Sequence, residues 1–286
     1  MAPRPDIAAF LTAQRLPGTY ADTIDLLWTP LAERIATIQR PALIGLCGPQ
    51  GSGKSTGAAA LGLLLEAKGL RAAVLSIDDF YLTRAERRAL ADTIHPLFAT
   101  RGPPGTHDLA LMTSTIDRLI ASESLALPSF DKAADDRGAD TRFEGPADIV
   151  LFEGWCVGAV PQRDEALADP VNTLEADADP QGIWRRHAND ALRTYQSLFK
   201  RIDYLIQLVP PAFETIVGWR REQEAKLPAR LMTDEQIAVF VQHYERLSRW
   251  IITEMPDRAD AVIRLDAERR PTENRSGVWT GRRKAH

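Results

Sequence analysis

Cysteine is almost absent from this chain: Cys47 and Cys156 are the only two in 286 residues. Two isolated thiols cannot form a disulfide framework or a cysteine-based zinc site, so small stapled folds and zinc modules are excluded. Long apolar runs are missing as well. No stretch of about 18 uncharged apolar residues occurs, and no membrane-spanning helix is expected. The first residues carry no apolar segment behind a basic start, so the expected location is the cytoplasm. A basic surplus is also lacking: Lys and Arg total 35 against 39 Asp and Glu, a formal net charge of −4. With its cations scattered along the chain, the protein shows no electrostatic footprint for nucleic acid, and the short cluster Arg282-Arg283-Lys284 reads as a solvated terminus. Nor does an N-K-x-D sequence occur to read guanine, which argues against a GTPase switch.

What is present is an ordinary globular composition, 44% hydrophobic, with one conspicuous loop. Residues 48–55 read Gly-Pro-Gln-Gly-Ser-Gly-Lys-Ser, a complete G-x-x-x-x-G-K-S pattern. Glycines let the backbone turn so tightly that successive N–H groups converge on a phosphate, and the following helix adds the positive end of its dipole. The apolar run 42–47 before the loop has the length of a buried parallel strand. Ala58, Leu61, Leu64 and Leu65 after it recur at helical spacing. Gly48, Pro49, Gln50, Gly51, Ser52, Gly53, Lys54, Ser55 and Thr56 are therefore the expected nucleotide-binding set for ATP. Lys54 would reach the β- and γ-phosphates, and the Ser55 hydroxyl would hold Mg2+.

Beyond the loop, strands are expected at 72–77, 148–153, 203–209 and 261–265. Helices are expected at 54–68, 84–93, 108–121, 181–200, 212–226 and 233–255. This alternation predicts an α/β fold, a mostly parallel five-stranded sheet with helices on both faces. Two helical patterns, Ile7 to Leu16 and Tyr20 to Ile38, precede it. Residues 1–40 thus read as a helical extension packed on a single α/β domain of residues 41–286. The segments 94–107 and 131–147, rich in Gly, Pro, Asp and Arg, are long for loops and suit substrate binding.

Ligands of parallel sheets bind beyond the carboxyl ends of the strands. The second strand runs into Ser76-Ile77-Asp78-Asp79-Phe80-Tyr81, and the strand at 148–153 ends in Leu151-Phe152-Glu153-Gly154-Trp155. Asp78 is placed to accept a hydroxyl proton, or else to cap the turn; Asp79 is a substrate contact or a cap. Glu153 is a candidate Mg2+ ligand, directly or through water, unless a nearby cation takes it.

The motifs GPQGSGKST (48–56), SIDDFYLT (76–83), RGPPGTHD (101–108), PSFDKAADDR (128–137), LFEGW (151–155), VNTLE (171–175) and WRREQE (219–224) together resemble the D-glycerate 3-kinases of the plant and microbial P-loop type. That group is related to phosphoribulokinase, uridine kinase and pantothenate kinase. The resemblance spans most of residues 43–266 and implies the P-loop kinase fold, ATP and Mg2+ as cofactors, Asp78 as the base and Glu153 as the acid of the LFEG motif. The implied substrate is the small molecule D-glycerate, phosphorylated on its 3-hydroxyl. A pocket for this anion needs cations, and Arg101, His107, Lys132 and Arg137 lie in the two long loops. Asp108 is either a neighbour of the substrate or a helix cap, and Tyr81 belongs to the same candidate set. Related kinases carry a mobile lid near 212–232. There Arg220, or Arg221, is expected to stabilise the transferring phosphoryl, the alternative being an i, i+4 pair of Arg220 with Glu224. Residues 266–271 are candidates to run beside the adenine. Two other readings remain open: a kinase for another small metabolite of the uridine, pantothenate or pentose-phosphate kind, and an ATP-binding regulatory protein without turnover. The sequence does not distinguish a monomer from a homodimer.

Overall fold

Three fully buried strands, β1 (Ala42–Cys47), β7 (Ile149–Gly154) and β8 (Tyr204–Val209), form the middle of the sheet. Their unbroken apolar runs require cover on both faces. The computed structural model describes residues 5–121, 124–225 and 232–272. In it the strands β2 (Ala72–Ser76) and β9 (Ala261–Arg264) complete a parallel sheet of order β2-β7-β1-β8-β9. Both edge strands are only partly buried, as their mixed composition requires.

Alternate residues of each strand feed two cores. One unites Leu43, Leu75, Val150 and Phe152 with Met112, Ile116 and Leu119 of α6 (Leu109–Ile120) and Leu192, Tyr195 and Leu198 of α8 (Ile183–Phe199). The other joins Ile44, Leu46, Ile149 and Leu151 to α4 (Lys54–Glu66) and to the N-terminal helices. These comprise α1 (Ile7–Ala13), α2 (Tyr20–Thr23), a π-helical turn over Ile24–Trp28, and α3 (Thr29–Ala36). Trp28 seats on Gly57 in the second turn of α4; a Cβ at position 57 would lie 2.4 Å from the indole. The N-terminal helices therefore pack directly on the helix that follows the phosphate loop.

The other helices begin at local caps. Thr83 and Glu86 close a capping box on α5 (Arg84–Thr93), and Thr233 and Gln236 do so on α10 (Asp234–Glu254). A small third cluster joins Phe213 and Ile216 of α9 (Phe213–Ala225) to Ile237 and Val241 of α10.

The two long connections are more ordered than their composition suggests. The first contains a 3₁₀ turn, Pro96–Ala99. It is capped by His95, whose Nδ1 accepts from Leu97 N–H while Nε2 lies 3.1 Å from the Ala178 carbonyl oxygen. The second folds into two short antiparallel pairs: β3 (Leu125–Leu127) with β6 (Thr141–Phe143), and β4 (Phe130–Asp131) with β5 (Asp136–Arg137). Strands of two or three residues carry no readable alternation, and side chains hold their turn: Asp131 accepts the N–H groups of Ala133 and Ala134. A further helix, α7 (Thr173–Ala178), lies in the acidic stretch before α8. The stretch ends at the buried Asp179, whose carboxylate caps α8 at Trp184 and Arg185 and pairs with the Arg185 guanidinium at 3.2 Å. Among the described residues, no helix is long and apolar enough to cross a membrane.

Candidate active site

The register brings the loop and both acidic motifs to one edge. Ser76 of β2 and Leu46 of β1 both pair with Glu153 of β7, so the chain leaves β1 and β2 beside Glu153. After β1 the loop turns through Gly51 (φ 74°) and Gly53 (φ 86°), conformations that side chains disfavour, and Gly53 opens α4. The Ser55 hydroxyl donates to Glu153 Oε1 at 2.7 Å. Glu153 is 3% exposed, and its Oε2 is a buried oxygen without a hydrogen-bond partner, as is Ser52 Oγ. An unpaired carboxylate oxygen beside a hydroxyl suits a hard cation. Mg2+ takes one or two protein oxygens and completes its shell with water and phosphate. Among the described residues, no group of three or more His, Cys, Asp or Glu could hold a metal ion; the Ser55 hydroxyl and Glu153 Oε2 are oxygens that fit one at this position.

Ser76 closes the turn after β2 by accepting the Asp78 N–H. Asp78 then receives two donors: Lys132 Nζ on Oδ2 and the Tyr81 hydroxyl on Oδ1, each at 2.7 Å. Burial alone would raise its pKa. The Lys132 and Lys54 cations and the two hydrogen bonds outweigh burial and hold the carboxyl well below the usual carboxylate range. Asp79 behaves in the opposite way: burial, then the adjacent Asp78 charge, push it up to about 6 against backbone N–H donors at Phe130 and Ser76. Two neighbouring acids thus differ in protonation, one ionised at all ordinary pH values and one titrating near 6.

The other candidate cations are paired. Arg101 binds Asp135, which also takes the 1%-exposed Arg87 at 2.6 Å, and both guanidiniums lie over the Phe130 ring. Asp135 therefore clamps the β4–β5 hairpin, and with it Lys132, over Asp78. Arg137 meets Asp108 at 3.3 Å, while Asp108 also caps α6 at Leu111 N–H. His107 is buried and stacked on Tyr81, and burial pulls it down to about 4, leaving it neutral. The Tyr195 hydroxyl accepts the Gly105 N–H and lies 2.9 Å from His107 Nδ1. If the tyrosine proton goes to Nδ1, one orphan remains, a buried Nε2–H; the other tautomer would strand two groups.

Arg220 is paired as well. Its guanidinium pairs with Glu224 at 2.8 Å and lies over Phe240, and Arg221 faces Asp234 at 3.8 Å. Of the expected lid, residues 226–231 lie outside the described residues, as do residues 282–284. The segment 266–271 reaches the phosphate loop, where Arg269 Nε donates to the Gly51 carbonyl at 2.5 Å. Both thiols are buried, and burial pushes Cys47 up to about 12 and raises Cys156 likewise.

Five residues organise the site in ways that escaped the sequence reading. Arg87 and Tyr195 sit inside amphipathic helices without any local signal. Tyr244 of α10 donates to the Arg101 carbonyl at 2.8 Å, and Trp155 donates to the Gly102 carbonyl, so together they pin the 101–108 loop. Asp135 lay within a quoted motif, but its role depends on Arg87, 48 residues away.

The chain is similar to several known proteins. It is 35% identical over 221 residues to an uncharacterized kinase, mug58, of Schizosaccharomyces pombe, a match covering 72% of this chain and 79% of that one. It is 32% identical over 260 residues to the chloroplastic D-glycerate 3-kinase of Arabidopsis thaliana, covering 81% of this chain but only 54% of the plant protein. The structure of a D-glycerate 3-kinase from Cryptococcus neoformans superposes with a TM-score of 0.71 at 27% identity, covering 90% of this chain and 98% of that one. The model of one family matches residues 43–195, which include the loop, both acidic motifs and the paired hairpins. This chain belongs to the Phosphoribulokinase / Uridine kinase family.

Proposed function

We propose that this kinase transfers the γ-phosphoryl group of ATP to the 3-hydroxyl of D-glycerate, forming 3-phosphoglycerate and ADP. The observation that carries the reading is the convergence, at one sheet edge, of the Ser55–Glu153 pair with an ionised Asp78 under a lysine-bearing hairpin. Similarity to D-glycerate 3-kinases from a plant and a fungus supports the acceptor.

In this reading the loop N–H groups and Lys54 bind the ATP phosphates, and Ser55 and Glu153 hold Mg2+. When bound, the ion would neutralise phosphate charge. Lys132, whose side chain is 56% exposed, turns from Asp78 toward the glycerate carboxylate, with Arg101 and Arg137 nearby. Losing that cation returns basicity to Asp78, which orients the 3-hydroxyl and takes its proton as the oxygen bonds to the γ-phosphorus and the bond to ADP breaks. A strong base is not required, because phosphoryl transfer depends on position and charge stabilisation more than on early deprotonation. The buried His107 Nε2–H offers the substrate a neutral donor. Arg220 reaches the phosphoryl after exchanging Glu224 for it on closure.

Purified protein given ATP, Mg2+ and D-glycerate should release ADP in step with 3-phosphoglycerate. Formation of the 2-phospho isomer alone, or ADP release independent of glycerate, refutes the reading. A panel of uridine, pantothenate and pentose phosphates in the same coupled assay identifies any other acceptor.

A further inference from the structure

Outside the reacting groups, a set of contacts ties the phosphate loop to helix α9. Arg269 lies in a tight turn after β9: its N–H donates to the Asp266 carbonyl, Arg270 N–H donates to the Asp266 carboxylate at 2.7 Å, and Leu265 bridges to Pro271. The turn holds Arg269 at φ 66°, a left-handed conformation uncommon for a side-chain-bearing residue. From there the guanidinium makes three contacts. Nε donates to the Gly51 carbonyl at 2.5 Å, Nη2 pairs with Glu222 of α9 at 2.7 Å, and the group lies 5.1 Å from the centre of the Trp219 ring. Trp219 is 1% exposed and donates its indole N–H to the Ala267 carbonyl at 2.7 Å. Its backbone rests on the loop so closely that a Cβ at Gly51 would meet Trp219 atoms at 2.6 to 3.0 Å.

We propose that Arg269 is a positioning residue that fixes the Gly51 peptide of the phosphate loop and holds α9 against it. The nucleotide-binding shape of the loop and the placement of Arg220, the residue after Trp219, are then set together. A phosphate loop turns its N–H groups inward and its carbonyls outward. A cation on an outward carbonyl holds that peptide plane before the ligand arrives, which lowers the ordering cost of binding. Donating to Gly51, pairing with Glu222 and stacking on Trp219 at once require a planar fork, which lysine does not have. If Arg269 only stitched the chain end to the core, its loss would lower thermal stability and leave the nucleotide affinity of the folded protein unchanged.

The test uses the full chain, Mg2+ and a non-hydrolysable ATP analogue, with no acceptor, so it is independent of the glycerate reading. Titration calorimetry should give an analogue Kd raised about 10-fold in Arg269→Ala, the worth of one charge-assisted hydrogen bond, and only about 3-fold in Arg269→Lys, which keeps the donor. Hydrogen exchange should show that the analogue protects both the loop and α9 in the wild type, but only the loop in Arg269→Ala. Arg269→Gln, which keeps bulk and a donor, serves if the alanine variant does not fold. An analogue Kd within 2-fold of wild type in the substituted proteins, or undiminished protection of α9, overturns the proposal. Failure of the wild type itself to bind the analogue refutes the nucleotide reading on which the proposal rests.

Discussion

Asp78→Asn separates chemistry from architecture at this site. The substitution keeps shape and leaves an oxygen to accept the Tyr81 hydroxyl, but removes the charge facing Lys132 Nζ at 2.7 Å. Asp78 has 24% of its side chain exposed and Lys132 has 56%, so solvent screens the pair and its loss costs about 1 kcal/mol of stability. That lowers the melting temperature by about 2 °C and leaves nearly all molecules folded. The sign follows from the depressed pKa: the ionised carboxylate stabilises the fold above its ordinary value of 3.8, and that contribution is lost as pH falls through the folded value. Turnover should fall about 100-fold or more, close to 3 kcal/mol in the transition state, far beyond what the stability change explains. The assay is glycerate-dependent ADP release at saturating ATP, with analogue binding measured by calorimetry on the same protein. Binding within about 3-fold of wild type together with the turnover loss supports the base role. Turnover within 3-fold of wild type refutes it.

Four other outcomes are expected. Lys132→Met should cut kcat/KM for glycerate about 30- to 100-fold through the acceptor KM, the worth of a charge-assisted hydrogen bond, with the ATP KM unchanged; an unchanged acceptor KM removes Lys132 from the pocket. Asp79 has its pKa raised from 3.8 to about 6, so the folded state keeps its proton and stability is lost as pH rises between those values; relative to wild type, Asp79→Asn should therefore gain about 2 kcal/mol from pH 4 to 7 in denaturation curves. His107, lowered from 6.5 to about 4, contributes the opposite slope over an overlapping window, so the wild type's own profile is flattened and only the difference between proteins is diagnostic. Gly57→Ala would drive a methyl into the Trp28 ring and cost about 1 to 3 kcal/mol, partly recovered when Trp28→Ala is added; no recovery would show that the contact does not bear on stability. Glu153→Gln preserves the hydrogen bond from Ser55 but loses the charge, and should raise the Mg2+ concentration for half-maximal activity about 10-fold or more, read from a metal titration.

Much of the fold was legible because its signals are local. Each of the five sheet strands lies within a residue or so of its expected place, since a buried parallel strand must be a short apolar run bounded by turn residues. The β4–β5 hairpin and α7 were not legible, because segments of two to six residues carry no usable period. Among the candidate site residues, Ser55 was readable from the loop motif, and Asp78 and Glu153 from their places at strand ends. The alternatives left open for Asp108 and Arg220 appear in the structure, as a helix cap and as a pair with Glu224.

By itself the sequence determined the loop, the strand order in the chain and the acids at two strand ends, because each depends on neighbours a few residues apart. Only the tertiary structure decided which charges meet. Lys132 reaches Asp78 across 54 residues and Arg269 reaches Gly51 across 218. Such partnerships follow from crossovers and packing, and the resulting burial and field leave Asp78 ionised while its neighbour Asp79 titrates near 6.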